Sequence, residues 1–314
     1  MAKSCDCRDV RMCYHDGLEW PYPKDMSDRL DRCLTFGATA IIELLPPGNL
    51  VKKSPHPFLC SSERHRQVGQ LMREVLIYKR LAPHRRLIKM MSYSCSADEM
   101  DGHVIFEYMR LGSLEAYLAS DAVITQSQQL DWCLQATEGI AFLHSSGVIH
   151  GDIKPENMVL DDNMCVRIID FSGSSIDGLP PLCLESARYY LPRPEPTCNI
   201  QTDLFALGSS IYHIMQRAPP FKDLDIDEIE DRYKRQDFPE LTNVFCGNII
   251  AACWRQQIES ASATLTLLQA HQQRSISVWF SRRLHNVLQS LHQGWAGILR
   301  YLRSGFLWGL GRLI

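Results

Sequence analysis

Asp152, Lys154, Asn157 and, 18 positions after the first of them, Asp170 are the residue types that phosphoryl transfer requires. That reaction needs a carboxylate to accept or orient a hydroxyl proton, a cation for the γ-phosphate and oxygen ligands for Mg2+. The apolar runs Met158-Val159-Leu160 and Val166-Arg167-Ile168-Ile169 flank an Asp161-Asp162-Asn163 turn. They predict a hairpin that brings Asn157 and Asp170 back toward one metal centre. Taken singly, each of these polar residues reads as a solvated loop position. The joint spacing is what points to chemistry.

The elements that must position these residues can be read upstream. Thr39 to Leu45 is apolar and β-branched, Pro46-Pro47-Gly48-Asn49 forms a turn, and Leu50-Val51-Lys52-Lys53 resumes, so a hairpin is predicted. Leu71, Val75 and Tyr78 recur at helical spacing between Gln67 and Leu81, with Glu74 beside them. Leu87 to Tyr93 and His103 to Glu107 read as strands around a turn over 98–102, and Leu114 to Leu118 and Gln128 to Ser145 read as helices. Strands followed by helices make an α+β order.

With these residues in place the chain resembles the eukaryotic protein kinase superfamily, whose catalytic loop reads H-R-D-x-K-x-x-N and whose metal motif reads D-F-G. Here the two stretches are His150-Gly151-Asp152-Ile153-Lys154-Pro155-Glu156-Asn157 and Asp170-Phe171-Ser172. The Lys154-Pro155-Glu156-Asn157 run is similar to the serine/threonine branch. Arg193-Pro194-Glu195 resembles the A-P-E that closes the activation segment, and Asp203 to Gly208 resembles the D-x-W-x-x-G that opens the next helix. The resemblance implies a bilobal fold, with a small β-rich lobe carrying one regulatory helix and a larger, mainly helical lobe. It also implies ATP and Mg2+ as cofactors and a protein Ser/Thr hydroxyl as acceptor. Asp152 would be the catalytic base, Lys154 its neighbouring cation, and Asn157 and Asp170 the metal ligands. Glu74 would partner the lysine that holds the α- and β-phosphates. Lys52 and Lys53 compete for that position, on opposite strand faces. The family's V-A-x-K order favours Lys53, with Val51 over the adenine. Phe106-Glu107-Tyr108-Met109 resembles the hinge, with the backbone of Glu107 and Met109 facing the adenine edge. Gly37 is the one glycine retained from the phosphate-covering loop.

Several positions depart from the family pattern. Thr35 and Ala40 stand where that loop has glycines, Gly151 replaces an arginine that pairs with phosphorylated activation loops, and Ser172 replaces the glycine of D-F-G. The thinned loop, Lys53-Ser54-Pro55 and the His-Gly-Asp variant are similar to a divergent group of kinase-like proteins common in fungi. No arginine follows Cys253-Trp254 at the spacing that would pair with Glu195. The alternative to an active kinase is therefore a pseudokinase that binds nucleotide or protein as a scaffold. A kinase-fold enzyme acting on a small molecule is a third reading.

The 314 residues, 45% hydrophobic and 22% charged, exclude a disordered or collagen-like chain. A formal charge of −3 gives no reason to expect nucleic acid as a partner. Twelve cysteines without framework spacing, and no secretory leader pattern, point to reduced thiols and a cytoplasmic location. Cys5, Cys7 and Cys13 cluster, but no matching zinc-ligand pair follows. The expected divisions are an extension over 1–30, the small lobe and hinge over 31–109, the large lobe over 110–272 and a basic tail over 273–314. No Asp or Glu occurs after Glu259, and apolar residues between Phe280 and Phe306 recur at helical spacing. The tail thus reads as an amphipathic helix for a partner protein or, in second place, a peripheral membrane surface.

Overall fold

The structure is a computed structural model that describes residues 32–37, 40–56, 59–96 and 101–274, together with Arg283. The N-terminal extension with its cysteine cluster, and the expected tail helix apart from Arg283, lie outside the described residues. The chain divides into two units, Met1–Leu265 and Thr266–Ile314. Of the second, residues 266–274 are described and helical. No helix among the described residues is long and apolar enough to cross a membrane.

The first unit has the α+β order expected. Strands β1 (Cys33–Phe36), β2 (Ile41–Leu45), β3 (Leu50–Ser54), β4 (Met90–Ser96) and β5 (Asp101–Glu107) form one antiparallel sheet in the order β1-β2-β3-β5-β4. Helix α1 (Ser61–Arg80) packs on it. Period-two alternation gives β3 two unlike faces. Val51 and Lys53 point inward, while Lys52 stays half-exposed opposite its cross-strand partner Glu43. Val51, Val104 and Phe106 from the sheet join Leu71 and Val75 of α1 in one buried cluster with Ile88.

Helix α1 begins six residues before the predicted Gln67. Its first turns are mostly exposed and carry Glu63 bonded to Arg66, so they show no apolar stripe to read. The predicted strand from Leu87 instead starts at Met90, and Leu87 makes only an isolated bridge to Ile168.

The helical part contains α2 (Leu114–Ala119), α3 (Gln126–Ser145), α4 (Ile200–Gln216), α5 (Ile226–Lys234) and α6 (Gly247–Trp254). Two short ladders cross it. β6 (Val148–Ile149) pairs with β9 (Ser175–Ile176), and β7 (Met158–Leu160) with β8 (Val166–Ile168), the latter being the predicted hairpin. Helix α4 starts on a capping box between Asn199 and Thr202 and is buried along most of its length. It approaches α6 closely at Gly208, where a Cβ would stand 2.6 Å from Cys253 Cβ, and Trp254 Nε1 donates to Ser209 Oγ alongside.

Gly208→Ala sets two effects against each other. Alanine gains about 1 kcal/mol of helix propensity, whereas forcing a methyl between packed helices costs about 1–3 kcal/mol. The clash is with Cys253 Cβ, which cannot swing away, so the variant should unfold at lower denaturant than wild type. A raised midpoint would show that α6 can shift to admit the methyl.

Candidate active site

Of the two candidate lysines, Lys53 is the one held between two carboxylates. Its Nζ donates to Glu74 Oε2 at 2.7 Å and to Asp170 Oδ1 at 2.8 Å, joining β3, α1 and the segment after β8. Burial alone would lower the Lys53 pKa, but the carboxylates of Asp170 and Glu74 outweigh it and hold the ammonium charged. Burial likewise pushes the Asp170 carboxyl up, and Lys53 and the Ser172 hydroxyl more than reverse this, leaving it well below the usual carboxylate range. Glu74 remains raised by its burial, with Lys53 and the Phe171 N–H opposing that shift.

The signs follow by linkage. The lowered Asp170 stabilises the fold above the ordinary aspartate range and loses that effect only as pH falls toward its lowered value. The raised Lys53 contributes below the ordinary lysine range and loses its effect as pH rises through the raised value. The contact between them therefore persists across mildly acid, neutral and mildly basic pH.

Asp170 adopts φ +67, a conformation that L residues rarely take, and its Oδ1 also accepts the Ser172 hydroxyl at 2.6 Å. Its Oδ2 accepts no hydrogen bond from the described residues, and the side chain is 32% exposed. Asn157 Nδ2 donates to the Asp152 carbonyl at 2.8 Å and to Asp152 Oδ2 at 2.9 Å, leaving the amide oxygen as its acceptor. Lys154 Nζ lies between Asp152 Oδ2 at 3.1 Å and Glu156 Oε2 at 2.9 Å. Burial opposes its charge, yet Asp152 and Glu156 raise its pKa. Asp152 Oδ1 is buried and has no hydrogen-bond partner among the described residues. The two ends of this one carboxylate are thus unlike: Oδ2 is saturated and Oδ1 is open.

Asp203 builds the loop that presents Asp152. Wholly buried, it accepts from His150 N at 2.8 Å, Gly151 N at 2.9 Å and His144 Nε2 at 2.8 Å. His150 Nδ1 accepts the Asp152 N–H, which assigns the ring proton to Nε2, facing the Ile169 carbonyl at 3.1 Å. The His150 ring packs edge-on to Phe171, which meets Tyr78 of α1, which in turn meets Phe106. The motif spacing marked Asp203, but its role in bonding the loop backbone was not legible, because those bonds go to main-chain N–H groups.

The hinge residues lie beside a group of apolar side chains that would line a slot for a base. Met109, Val159, Ile42 and Ile169 are partly buried against the cluster that includes Val51 and Phe106. Met109 O accepts from Gly112 N, and its N–H has no acceptor among the described residues. Glu107 N donates to Lys89 O, and its side chain returns a bond to Lys89 N. Gly37 is exposed, with its N–H bonded to Ala40 O and its carbonyl accepting His56 Nε2 at 2.7 Å. The retained glycine is therefore tied into its own hairpin. His56 carried no sequence signal for this contact.

Glu195 is exposed, and the buried acid of this region is Glu185, whose Oε2 lies 2.7 Å from Arg193 Nη2. Chain reversal over eight residues places Arg193, expected only as the first residue of that motif, as the buried cation. Glu195 needs no distant arginine because water solvates it.

The residues present suit a divalent cation and a nucleotide: Asp170 Oδ2 and the Asn157 amide oxygen are hard oxygen donors, and the slot offers an apolar lining with one open N–H. The family model for the protein kinase domain matches residues 58–278. The chain is similar to the phosphorylase b kinase gamma catalytic chain, liver/testis isoform, of Mus musculus, at 29% identity over 160 residues, covering 48% of this chain and 39% of that protein. It is 28% identical over 202 residues to the probable serine/threonine-protein kinase gdt8 of Dictyostelium discoideum, covering 60% and 15%. It is 27% identical over 190 residues to the cell cycle serine/threonine-protein kinase CDC5/MSD2 of Saccharomyces cerevisiae, covering 56% and 26%. The chain spans well under two thirds of the length of these relatives.

Removing Arg193 would strand the Glu185 carboxylate in the interior. Arg193→Met should cost about 3–5 kcal/mol in chemical denaturation, while Glu195→Ala should stay within about 0.5 kcal/mol. Equal effects would return Glu195 to a structural role.

Proposed function

The chain belongs to the protein kinase family, whose model matches more than half of its 314 residues, and on that footing we propose that it transfers the γ-phosphoryl group of Mg-ATP to a serine or threonine hydroxyl of a protein. The observation that carries the proposal is the pairing of an assembled Lys53–Glu74–Asp170 contact with an Asp152 carboxylate whose Oδ1 is buried and unpartnered. An orphaned buried acceptor costs about 1–3 kcal/mol. A hydroxyl donor arriving at that oxygen removes the cost during the reaction.

Bound Mg-ATP supplies the phosphoryl group and the metal charge that neutralises its oxygens. Asp152 Oδ1 orients the acceptor hydroxyl and takes its proton, while Asn157 and Lys154 hold Oδ2 and fix the direction of Oδ1. Lys154, paired with Asp152, would offer its charge to the transferred group. Asp170 Oδ2 and the Asn157 amide oxygen would hold the metal. Lys53, kept in place by Glu74, faces the phosphates as a fixed charge that needs no reorganisation. Val51 and Val159 enclose the purine, with the Met109 N–H open to its edge. Serine or threonine as acceptor is supported by the Lys154-Pro155-Glu156-Asn157 run and by the relatives named as serine/threonine kinases.

Label transfer from γ-labelled Mg-ATP to a basic test protein and to the chain itself would test this. Asp152→Asn should lower the rate by roughly 10^2–10^4-fold, the usual contribution of a positioned general base, and Lys53→Met should also abolish measurable transfer. Labelling that survives both changes would belong to a contaminant and sink the proposal. Nucleotide binding with no transfer by wild type on any acceptor would favour the scaffold reading.

A further inference from the structure

Helix α1 bears a second charged contact one residue before Glu74. Arg73 Nη1 donates to the Ser174 carbonyl at 2.7 Å and to the Pro180 carbonyl at 2.9 Å. No carboxylate pairs with this guanidinium among the described residues. Its charge is met by main-chain oxygens at the two ends of the turn that follows Asp170-Phe171-Ser172. These oxygens converge only when that turn is folded.

The same turn is held from its other side. Ser174 Oγ donates to the His150 carbonyl at 2.7 Å, β9 pairs with β6, and Leu182 N donates to the Gly173 carbonyl at 2.9 Å. Cys183 lies so close to Gly173 that a Cβ there would stand 1.8 Å from its Sγ. The solvated Arg80–Asp177 pair at 3.8 Å adds little. In contrast, position 151, where the family's loop has an arginine, offers no cation to a phosphate on this segment. Gly151 sits at φ +76, and a Cβ there would press on Cys198 Sγ at 3.3 Å, so a basic side chain at this position would be strained.

We infer that Arg73 is a positioning residue that ties α1 to residues 174–180 and so keeps Glu74, Lys53 and Asp170 assembled without a phosphate on the segment. The catalytic half of this inference rests on the kinase reading above, whereas the structural half does not. The two arms of the test separate them.

The first arm is amide hydrogen exchange on the full chain. Arg73→Ala should speed exchange about tenfold over residues 174–180 and at Phe171, whose N–H donates to Glu74 Oε1, a size expected for losing charge-assisted hydrogen bonds. The amides of α3 should be unmoved, and Arg73→Lys should restore part of the protection. Unchanged exchange at 174–180, or equal acceleration in α3, would overturn the inference. The second arm is phosphoryl transfer. Phosphatase-treated wild type should keep its rate, and Arg73→Ala should lower it about tenfold, with the Arg73→Ala/Glu74→Gln double variant no slower than Glu74→Gln alone. Additive losses, or inactivation by phosphatase, would overturn it. A wild type that transfers no phosphate would defeat the kinase reading, and the exchange arm would still decide the role of Arg73.

Discussion

The Lys53 ammonium, shared between Glu74 and Asp170, is the contact on which the site depends. It joins residues 21 and 117 positions apart in the chain. Its neighbours are largely removed from water, and desolvating each ion costs several kcal/mol even after relaxation. A well-packed apolar trio would hold β3 to α1 at least as well. The arrangement is therefore poor evidence for stability and good evidence for chemistry, since it keeps a cation and two carboxylates fixed at the mouth of an apolar slot. Asp170 at φ +67 fits the same account: a strained backbone persists where surrounding contacts over-determine it, and here Lys53 and Ser172 both grip Oδ1.

The catalytic loop obeys a strict accounting of buried polar groups. Asp203 satisfies two loop N–H groups and His144, His150 satisfies the Asp152 N–H and the Ile169 carbonyl, and Asn157 satisfies the Asp152 carbonyl. After these are counted, Asp152 Oδ1 and His144 Nδ1 are left without a hydrogen-bond partner among the described residues. Buried acceptors are rarely abandoned. On the kinase reading, the free oxygen of Asp152 is the one suited to a hydroxyl proton and is where an acceptor hydroxyl would sit.

Much of this was legible in the sequence where a side chain reports its own environment. Alternation in Leu50-Val51-Lys52-Lys53 put the two lysines on opposite faces and the family resemblance favoured Lys53, and the structure has Lys53 buried and Lys52 facing Glu43. The 158–160 and 166–168 hairpin and the buried face of α1 followed from periodicity. Contacts to main chain left no such trace: Arg73 on carbonyls, Asp203 on amides and His56 on Gly37 read as ordinary polar residues. The Glu185–Arg193 pair was not anticipated, because motif letters, matched one by one, carry no information on which acid is buried. Helix α1 was cut short because its first turns lack an apolar stripe.

The departures from the family pattern gain a different meaning once their surroundings are known. Gly151 occupies a positive-φ turn against Cys198, so its missing side chain is demanded locally. Ser172 gives up the freedom of glycine and in exchange donates to Asp170, restraining the carboxylate at its base. The thinned phosphate loop keeps one glycine, and that residue is braced by His56 rather than left mobile. Each change removes a degree of freedom or a phosphate-responsive charge, and each is matched by a contact that holds the same part in place. Here Lys53 bonds to both Glu74 and Asp170, Asn157 bonds to Asp152, and the substitutions around them act to reduce motion.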